Sequence, residues 1–151
     1  MRQRLIAACL IALLTSPLAW ASETIVTKKS ANSVAVTIDR LEAALKKKGI
    51  TIAARWNHAA AAKKAGMTLR PTELLIFGNP KLGTPLMQSN QQVGLELPMK
   101  VLAYEDDKGQ VWVIYSAPTA LAATFGIKDR DDVIKKMTGA LDKLTDKATA
   151  K

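Results

Sequence analysis

His58 is the side chain of this sequence best suited to acid–base or metal chemistry. It is the only histidine in the chain, and an imidazole changes its charge near neutral pH. The surrounding residues predict a junction between a strand, 50–56, and an Ala-rich helix, 59–65. Two interpretations stay open: His58 is a ligand or proton donor, or it caps the helix and bonds a nearby carbonyl. A metal site would need carboxylates or Met87, and no acidic residue stands near His58 in sequence.

A second candidate site is the segment 78–84, Gly-Asn-Pro-Lys-Leu-Gly-Thr. Its composition predicts a loop through Gly83, with Thr84 capping the next helix and Pro85 at its first position. Converging backbone N–H groups and a helix N-terminus suit a small anionic ligand. The candidate ligand-binding residues here are Asn79, Lys81, Gly83, Thr84 and Gln88. The alternative is a tight turn without a ligand, and the Lys-Ser/Thr pair that ends a nucleotide-binding P-loop is missing.

Other chemistry is less well supported by the residue pattern. Met87 is conceivable as a haem ligand opposite His58, but a helical methionine usually fills a core, and no C-x-x-C-H motif is present. The sequence identifies no cofactor and leaves metal or haem binding open. Two of the lysine clusters end predicted helices, where cations complement the helix dipole, and Lys135-Lys136 follows three nearby acidic residues. Because aromatic residues are sparse and do not alternate with these lysines, nucleic acid is not an expected partner.

The elements that must position these residues predict one α+β domain of about five strands and about five helices with a mixed or antiparallel sheet. Two amphipathic helices carry the clearest apolar stripes: Val34, Ile38, Leu41 and Leu45 in the first, and Ile134, Met137, Leu141 and Leu144 in the last. The last helix is expected to fray after Thr145, which leaves 146–151 as a flexible tail. The predicted strands are 23–29, 50–56, 73–77, 99–105 and 110–115.

The hairpin formed by 99–105 and 110–115 is apolar on both faces. Val101, Ala103, Val111 and Val113 lie on one face, and Leu102, Tyr104, Trp112 and Ile114 on the other. In a hairpin with one solvent-exposed face, apolar and polar residues would alternate along each strand. The pattern therefore predicts that the hairpin is sandwiched within the fold or covered by another subunit.

Residues 1–21 predict a cleaved secretory signal peptide. Arg2 and Arg4 precede an apolar run, Leu5 to Leu14, and an Ala19-Trp20-Ala21 cleavage site. The run is shorter than the roughly 20 residues that span a bilayer, so an uncleaved anchor is disfavoured. A lipoprotein acylated at Cys9 is disfavoured because that cysteine lies inside the apolar run. We therefore expect a periplasmic or secreted protein with no stable membrane anchor after cleavage.

Cleavage changes the composition of the protein. The only cysteine is lost with the leader, so neither disulfides nor thiol chemistry are available to residues 22–151. Of the 22 Lys and Arg residues, 20 remain against 13 acidic ones, which gives a formal charge of +7. In an exported protein this excess favours anionic ligands, partners or membrane surfaces.

The motifs of the middle of the chain, taken in order, resemble those of the bacterial and archaeal family called domain of unknown function 302. They are the segments 53–60, 69–80 (which ends Phe77-Gly78-Asn79-Pro80), 83–88, Leu97-Pro98 and 115–118. The resemblance covers about 37–144 and implies a single domain over 22–145, a curved sheet of the TATA-binding-protein class and a homodimer. It brings no established activity. One departure is Asn57, where the family commonly has an acidic residue before the histidine.

These observations favour a small-ligand-binding or accessory domain with a site near His58 and the segment 78–84. An enzyme that uses His58 as acid or base is an alternative, although no paired carboxylates, nucleophilic cysteine or G-x-S-x-G motif supports it. A third interpretation is a structural dimer that binds another envelope protein through its sheet. The residues alone identify no ligand or pathway.

Overall fold

Antiparallel hydrogen bonding joins five strands into one sheet in the computed structural model, which describes residues 24–151. The predicted signal peptide lies outside the described residues. The sheet order is β1-β5-β4-β3-β2, with every neighbouring pair antiparallel. The predicted α+β class is therefore confirmed, with the antiparallel alternative correct. The strands are β1 (Ile25–Ser30), β2 (Thr51–Asn57), β3 (Thr72–Gly78), β4 (Met99–Glu105) and β5 (Val111–Ser116).

Five α-helices connect these strands or follow them, and the two with clear apolar stripes form the core. All of Val34, Ile38, Leu41 and Leu45 are buried, as are Ile134, Met137, Leu141 and Leu144. The two helices pack on each other and against one face of the sheet, where Leu75, Val101 and Val113 are fully buried. The helices are α1 (Val34–Lys47), α2 (His58–Lys64), α3 (Pro80–Ser89), α4 (Pro118–Thr124) and α5 (Asp131–Thr149), with a short 3-10 helix over Gln91–Leu95.

Helix α3 begins earlier than the sequence predicted. The segment expected to be a loop is helical from Pro80, and the predicted N-cap, Thr84, lies inside the helix. The N-cap is Asn79, whose Oδ1 accepts a hydrogen bond from the backbone N–H of Lys81 at 3.0 Å. Asn followed by Pro meets the same capping rule as Thr followed by Pro. The helix therefore begins at the earlier pair, Asn79-Pro80, and Pro85 lies within it.

Helix α5 ends later than predicted. It continues to Thr149, and Thr145, Ala148 and Thr149 are buried, so most of the expected flexible tail 146–151 is helical. The Thr149 carbonyl accepts a hydrogen bond from the backbone N–H of Ala31 at 2.9 Å. The side chain of Lys28 bridges Asp142 and Asp146, at 2.6 Å from each. These contacts with β1 and the β1–α1 connection hold the final turns in place.

The two faces of the β4–β5 hairpin have different surroundings. Val101, Ala103, Val111 and Val113 are buried under the helices, whereas the outward side chains of both strands are partly exposed. The turn is held by Asp106, whose Oδ1 accepts from the backbone N–H groups of Lys108 and Gln110, each at 2.9 Å. Within residues 24–151, the fold thus covers only one of the two apolar faces that the sequence predicts.

Candidate functional site

His58 is the first residue of α2 and lies half-buried where β2 ends. The preceding residue performs the capping: Asn57 Oδ1 accepts from the backbone N–H of Ala60 at 2.8 Å. The imidazole forms no hydrogen bond with any residue from Thr24 onward. Within the same range, no three His, Cys, Asp or Glu side chains are grouped so that they could hold a metal ion.

The polar cluster beside His58 is an ion-pair network centred on Arg55. Its Nη2 and Nε lie 2.7 Å and 3.0 Å from Glu73 Oε2, and its Nη1 lies 2.6 Å from Asp39 Oδ1. Asn57 Nδ2 donates to the other Glu73 oxygen at 2.6 Å. Burial alone would lower the pKa of Arg55, but the hydrogen bonds to Asp39 and Glu73 outweigh burial and raise it. These bonds use both oxygens of Glu73. Since Arg55 belongs to β2, Glu73 to β3 and Asp39 to α1, the network joins the two strands to the helix.

The two predicted parts of the site lie at opposite ends of β3. Asn57, next to His58, pairs with Glu73 at the start of β3, whereas Thr51 pairs with Gly78 at its end. At about 3.4 Å per residue, the six steps from Glu73 to Asn79 span about 20 Å. His58 and the segment 78–84 therefore do not form a common site.

A cavity of about 440 Å³ opens at the end of β3 that carries Gly78. It lies among the start of β2, the end of β3, the start of β4, and helices α3 and α5. Its walls are mostly apolar, with side chains that include Phe77, Leu82, Met87, Met99, Met137 and Leu141. Flexible methionines can adapt such a wall to ligands of different shapes.

Some of the predicted ligand-binding residues line this cavity. Asn79, Gly83 and Thr84 belong to its wall, whereas Lys81 and Gln88 are exposed on α3 outside it. The backbone N–H groups of Leu82 and Gly83 donate to the Asn79 carbonyl, at 2.9 Å and 3.0 Å. The free N–H groups that the loop prediction required are thus bonded within the helix. What the arrangement offers a ligand is an apolar chamber with a few polar groups.

The sequence prediction missed the contribution of α5. Met137, Ala140, Leu141 and Leu144 line the cavity, yet three of them belong to a stripe that the sequence reads as core. Their periodicity marks a buried face but does not distinguish packing against protein from packing against a ligand. No local signal in the sequence could have placed them beside segment 78–84.

Most of the described chain matches one protein family. The model of the family "Domain of unknown function DUF302" matches residues 26–144. The chain belongs to the DUF302 family. This DUF302 protein is also similar in fold to the crystal structure of an uncharacterised conserved DUF302 protein from Bacillus stearothermophilus. That match has a TM-score of 0.75 at 21% identity and covers 84% of this chain and 99% of the other.

Curated relatives of this DUF302 protein carry the name of an ion channel. The Fluoride-specific ion channel FluC 1 of Brucella suis biovar 1 (strain 1330) is 46% identical over 123 residues, which cover 79% of this chain and 48% of that protein. The protein of the same name from Brucella abortus biovar 1 (strain 9-941) is also 46% identical, with 79% and 46% covered. The chain thus spans about half the length of these relatives. Among residues 24–151, no helix has both the length and the apolar character needed to cross a membrane.

Proposed function

We propose that this DUF302 protein is exported and binds a small amphipathic molecule in the cavity between α3 and α5. The observation that carries the proposal is the cavity itself. Its volume of about 440 Å³ falls within the roughly 300–1,000 Å³ of small-molecule sites, which are typically apolar with a few polar groups. A hydrocarbon or aromatic body would pack against Phe77, Met137 and Leu141.

The polar end of the ligand would lie toward α3. Asn79 and Thr84 belong to the wall there, and Lys81 projects from the same first turns of the helix. Its ammonium group, together with the basic charge of the whole chain, favours a negatively charged head group over a positively charged one. Burial of the apolar body would supply most of the affinity, and Lys81 would supply the preference for an anion.

Two dyes test this proposal: anionic 1-anilinonaphthalene-8-sulfonate and neutral N-phenyl-1-naphthylamine. We expect saturable binding of both, measured by fluorescence titration. Ala140→Phe fills the cavity and should weaken the binding of both dyes by at least about tenfold, equivalent to ~1.4 kcal/mol. The matched control is Ala123→Phe on the exposed surface of α4, which should change neither. Lys81→Glu should weaken only the anionic dye.

The proposal fails if neither dye binds saturably, or if Ala140→Phe binds both dyes as tightly as the unmodified protein. If Lys81→Glu weakened the binding of both dyes equally, the proposed preference for an anionic head group would be contradicted, but the proposed apolar binding cavity would not. The natural ligand is then sought by native mass spectrometry of protein purified without denaturants. A retained molecule absent from Ala140→Phe would identify it.

We propose as a second function that the domain is an accessory to fluoride transport. The specific observation is that the relatives called fluoride-specific ion channels share this domain over about half their length. A domain joined to a channel in one organism can act beside a separate channel in another. Cells that lack this protein should grow less well in sodium fluoride than in matched sodium chloride, and restoring the gene should reverse the defect. Equal growth in both salts would overturn this second function.

A further inference from the structure

Helices α1 and α5 lie side by side and antiparallel on one face of the sheet. They pack on each other, and the start of α1 meets the end of α5, where the backbone N–H of Ala31 donates to the Thr149 carbonyl. Neighbouring helices lie about 8–10 Å apart, so the outer sides of these two form one broad surface toward solvent.

Basic side chains follow this surface in two rows. On α5, Lys136, Lys143 and Lys147 recur at spacings that place them on one side of a helix. On α1, Arg40 and Lys47 have the same relation to each other. All five side chains are exposed. At 1.5 Å per residue, the longer row extends about 16 Å along its helix.

Each row lies on the side of its helix that faces the other helix. Arg40 Nη1 donates to the carbonyl of Ala150, at the end of α5. The opposite side of α5 carries Asp142 and Asp146, which are both bound by Lys28 of the edge strand β1. The two basic rows therefore border a common groove, and these acidic side chains of α5 point away from it.

The acidic side chains of α1 also point away from the groove. Asp39 and Glu42 lie on the side of α1 that faces β2, where Arg55 pairs with both. The other acidic residues of the two helices, Asp131 and Asp132, lie in the first turn of α5, where they complement the helix dipole. Along the length of the groove, the acids of both helices are thus neutralised by cations from the strands.

The lysines of the two rows have no such partners. Lys47, Lys136, Lys143 and Lys147 form no ion pair with any residue from Thr24 to Lys151. The strand cations Lys28 and Arg55 are already paired, so the positive charge of this side of the molecule is concentrated along the groove. A concentration of unpaired positive charge attracts an anionic partner.

The side chains between the rows favour a lipid surface over a macromolecule. Neither α1 nor α5 contains an aromatic residue, whereas protein partners are usually anchored by aromatic side chains in pockets, and single-stranded nucleic acid stacks on them. The exposed apolar residues of α1 beside the groove are only Val36 and Ala43. Four of the five cations are lysines, which act as hydrated point charges without the directed geometry of arginine.

We propose that the groove between α1 and α5 binds the surface of a membrane that contains anionic phospholipids. A broad array of lysines matches a plane of negatively charged head groups, to which each lysine adds attraction. Ala140 lies in the α5 row between Lys136 and Lys143 and also lines the cavity. Docking would therefore bring one wall of the cavity close to the lipid head groups, although the docking itself does not require the cavity.

Vesicle flotation tests the proposal on the full chain expressed and purified, with its N-terminus determined by mass spectrometry. Phosphatidylcholine vesicles that contain about 30% phosphatidylglycerol should bind the protein at least about tenfold more tightly than vesicles of phosphatidylcholine alone. Raising the sodium chloride concentration from about 0.05 M to about 0.5 M should remove this preference, because salt screens exposed charges.

The variants test which lysines make the contact. Lys136→Gln combined with Lys143→Gln should weaken binding to the anionic vesicles roughly twentyfold, at about fivefold for each lysine. Adding Lys47→Gln from the other helix should weaken binding about fivefold more. The matched control, Lys64→Gln with Lys108→Gln, removes the same charge from exposed positions outside both helices and should bind like the unmodified protein. Circular dichroism should be the same for all of them.

Three results would overturn the proposal. Equal binding to anionic and neutral vesicles would show no preference for anionic lipid. Equal weakening in the two double variants would show a dependence on net charge alone. Tighter binding to soluble poly-glutamate than to vesicles of equal charge concentration would assign the groove to an acidic polypeptide. Dye binding in the cavity is measured separately, so its failure does not affect this result.

Discussion

The amide nitrogen of Asn57 lies 2.6 Å from Oε1 of Glu73 and donates a hydrogen bond to it. The second oxygen of the same carboxylate accepts from Arg55, and the Glu73 side chain is only 9% exposed. Asn57 therefore has two tasks, because its own oxygen caps α2. A carboxylate at position 57 could cap the helix but could not donate to Glu73, which gives a physical meaning to the asparagine in this chain.

Asn57→Asp should reduce the free energy of unfolding at neutral pH. The new carboxylate faces Glu73 with no proton between them, so the pKa of the introduced group rises above its ordinary value. For an acid with a raised folded pKa, the loss of stability is full above that pKa and disappears as the pH falls below the unfolded value of about 4. Urea unfolding at pH 7 and pH 4 measures the difference.

Asn57→Ser is the matched control for that experiment. It keeps a capping oxygen and a hydrogen-bond donor without adding charge, so its effect on stability should be the same at both pH values. An Asn57→Asp loss that is equally large at pH 4 and pH 7 would show that repulsion between carboxylates is not the cause.

Arg55→Met should destabilise the fold by about 2 kcal/mol. The substitution keeps the aliphatic stem but leaves the buried Glu73 carboxylate without its cation. Removing one partner of a buried pair costs roughly 3–5 kcal/mol, and the 32% exposure of the Arg55 side chain reduces this value. Urea unfolding measures the change, with Lys47→Met on the exposed side of α1 as control. Equal stability of the two variants would contradict the structural role of the network.

Deletion of 146–151 should destabilise the protein by about 2 kcal/mol. The truncation removes the buried Ala148 and Thr149 side chains and the Asp146 partner of Lys28. It also removes the acceptor of the Ala31 hydrogen bond. Thermal unfolding measures the change, and deletion of the exposed Lys151 alone should have no effect. An unchanged melting temperature in the longer deletion would restore the prediction of a frayed tail.

His58→Ala should leave the dissociation constants of both dyes unchanged. His58 lies at the far end of β3 from the cavity, about 20 Å away along the strand. Fluorescence titrations of the variant beside the unmodified protein provide the measurement, and Ala140→Phe serves as the positive control for lost binding. Weaker binding in His58→Ala would mean that the site extends along β3 and that the histidine belongs to it.

The helical stripes were predictable because their cause is local. Ile38 and Leu41 in α1, and Met137 and Leu141 in α5, follow the period of a helix with one buried face, and all four are buried. The end of α5 was not predictable in this way. Thr149 is held by Ala31, a residue more than a hundred positions earlier, so no window of sequence around the helix contains the reason for its length.

The error about the candidate site has a topological cause. The sequence correctly placed His58 after β2 and segment 78–84 after β3. In a parallel sheet, the ends of two neighbouring strands meet at the same edge. Strands β2 and β3 are antiparallel, so the ends of these two strands point to opposite edges. Pairing direction is a property of the whole fold, and neither motif encodes it alone.

The two ends of the described chain lie at the two ends of β1. Thr24 accepts a hydrogen bond from the backbone N–H of Ala117 at 3.0 Å, and the last turn of α5 is held beside Ala31. No residue of β1 or β5 lines the cavity. Any polypeptide joined before Thr24 or after Ala150 would therefore be attached beside β1, the strand at one side of the sheet. Ile25 pairs with Ser116, and the register of β4 and β5 places Ser116 beside Lys100, so a polypeptide joined before Thr24 would leave the sheet at the same end as the cavity. One joined after Ala150 would leave at the opposite end, where Thr149 meets Ala31.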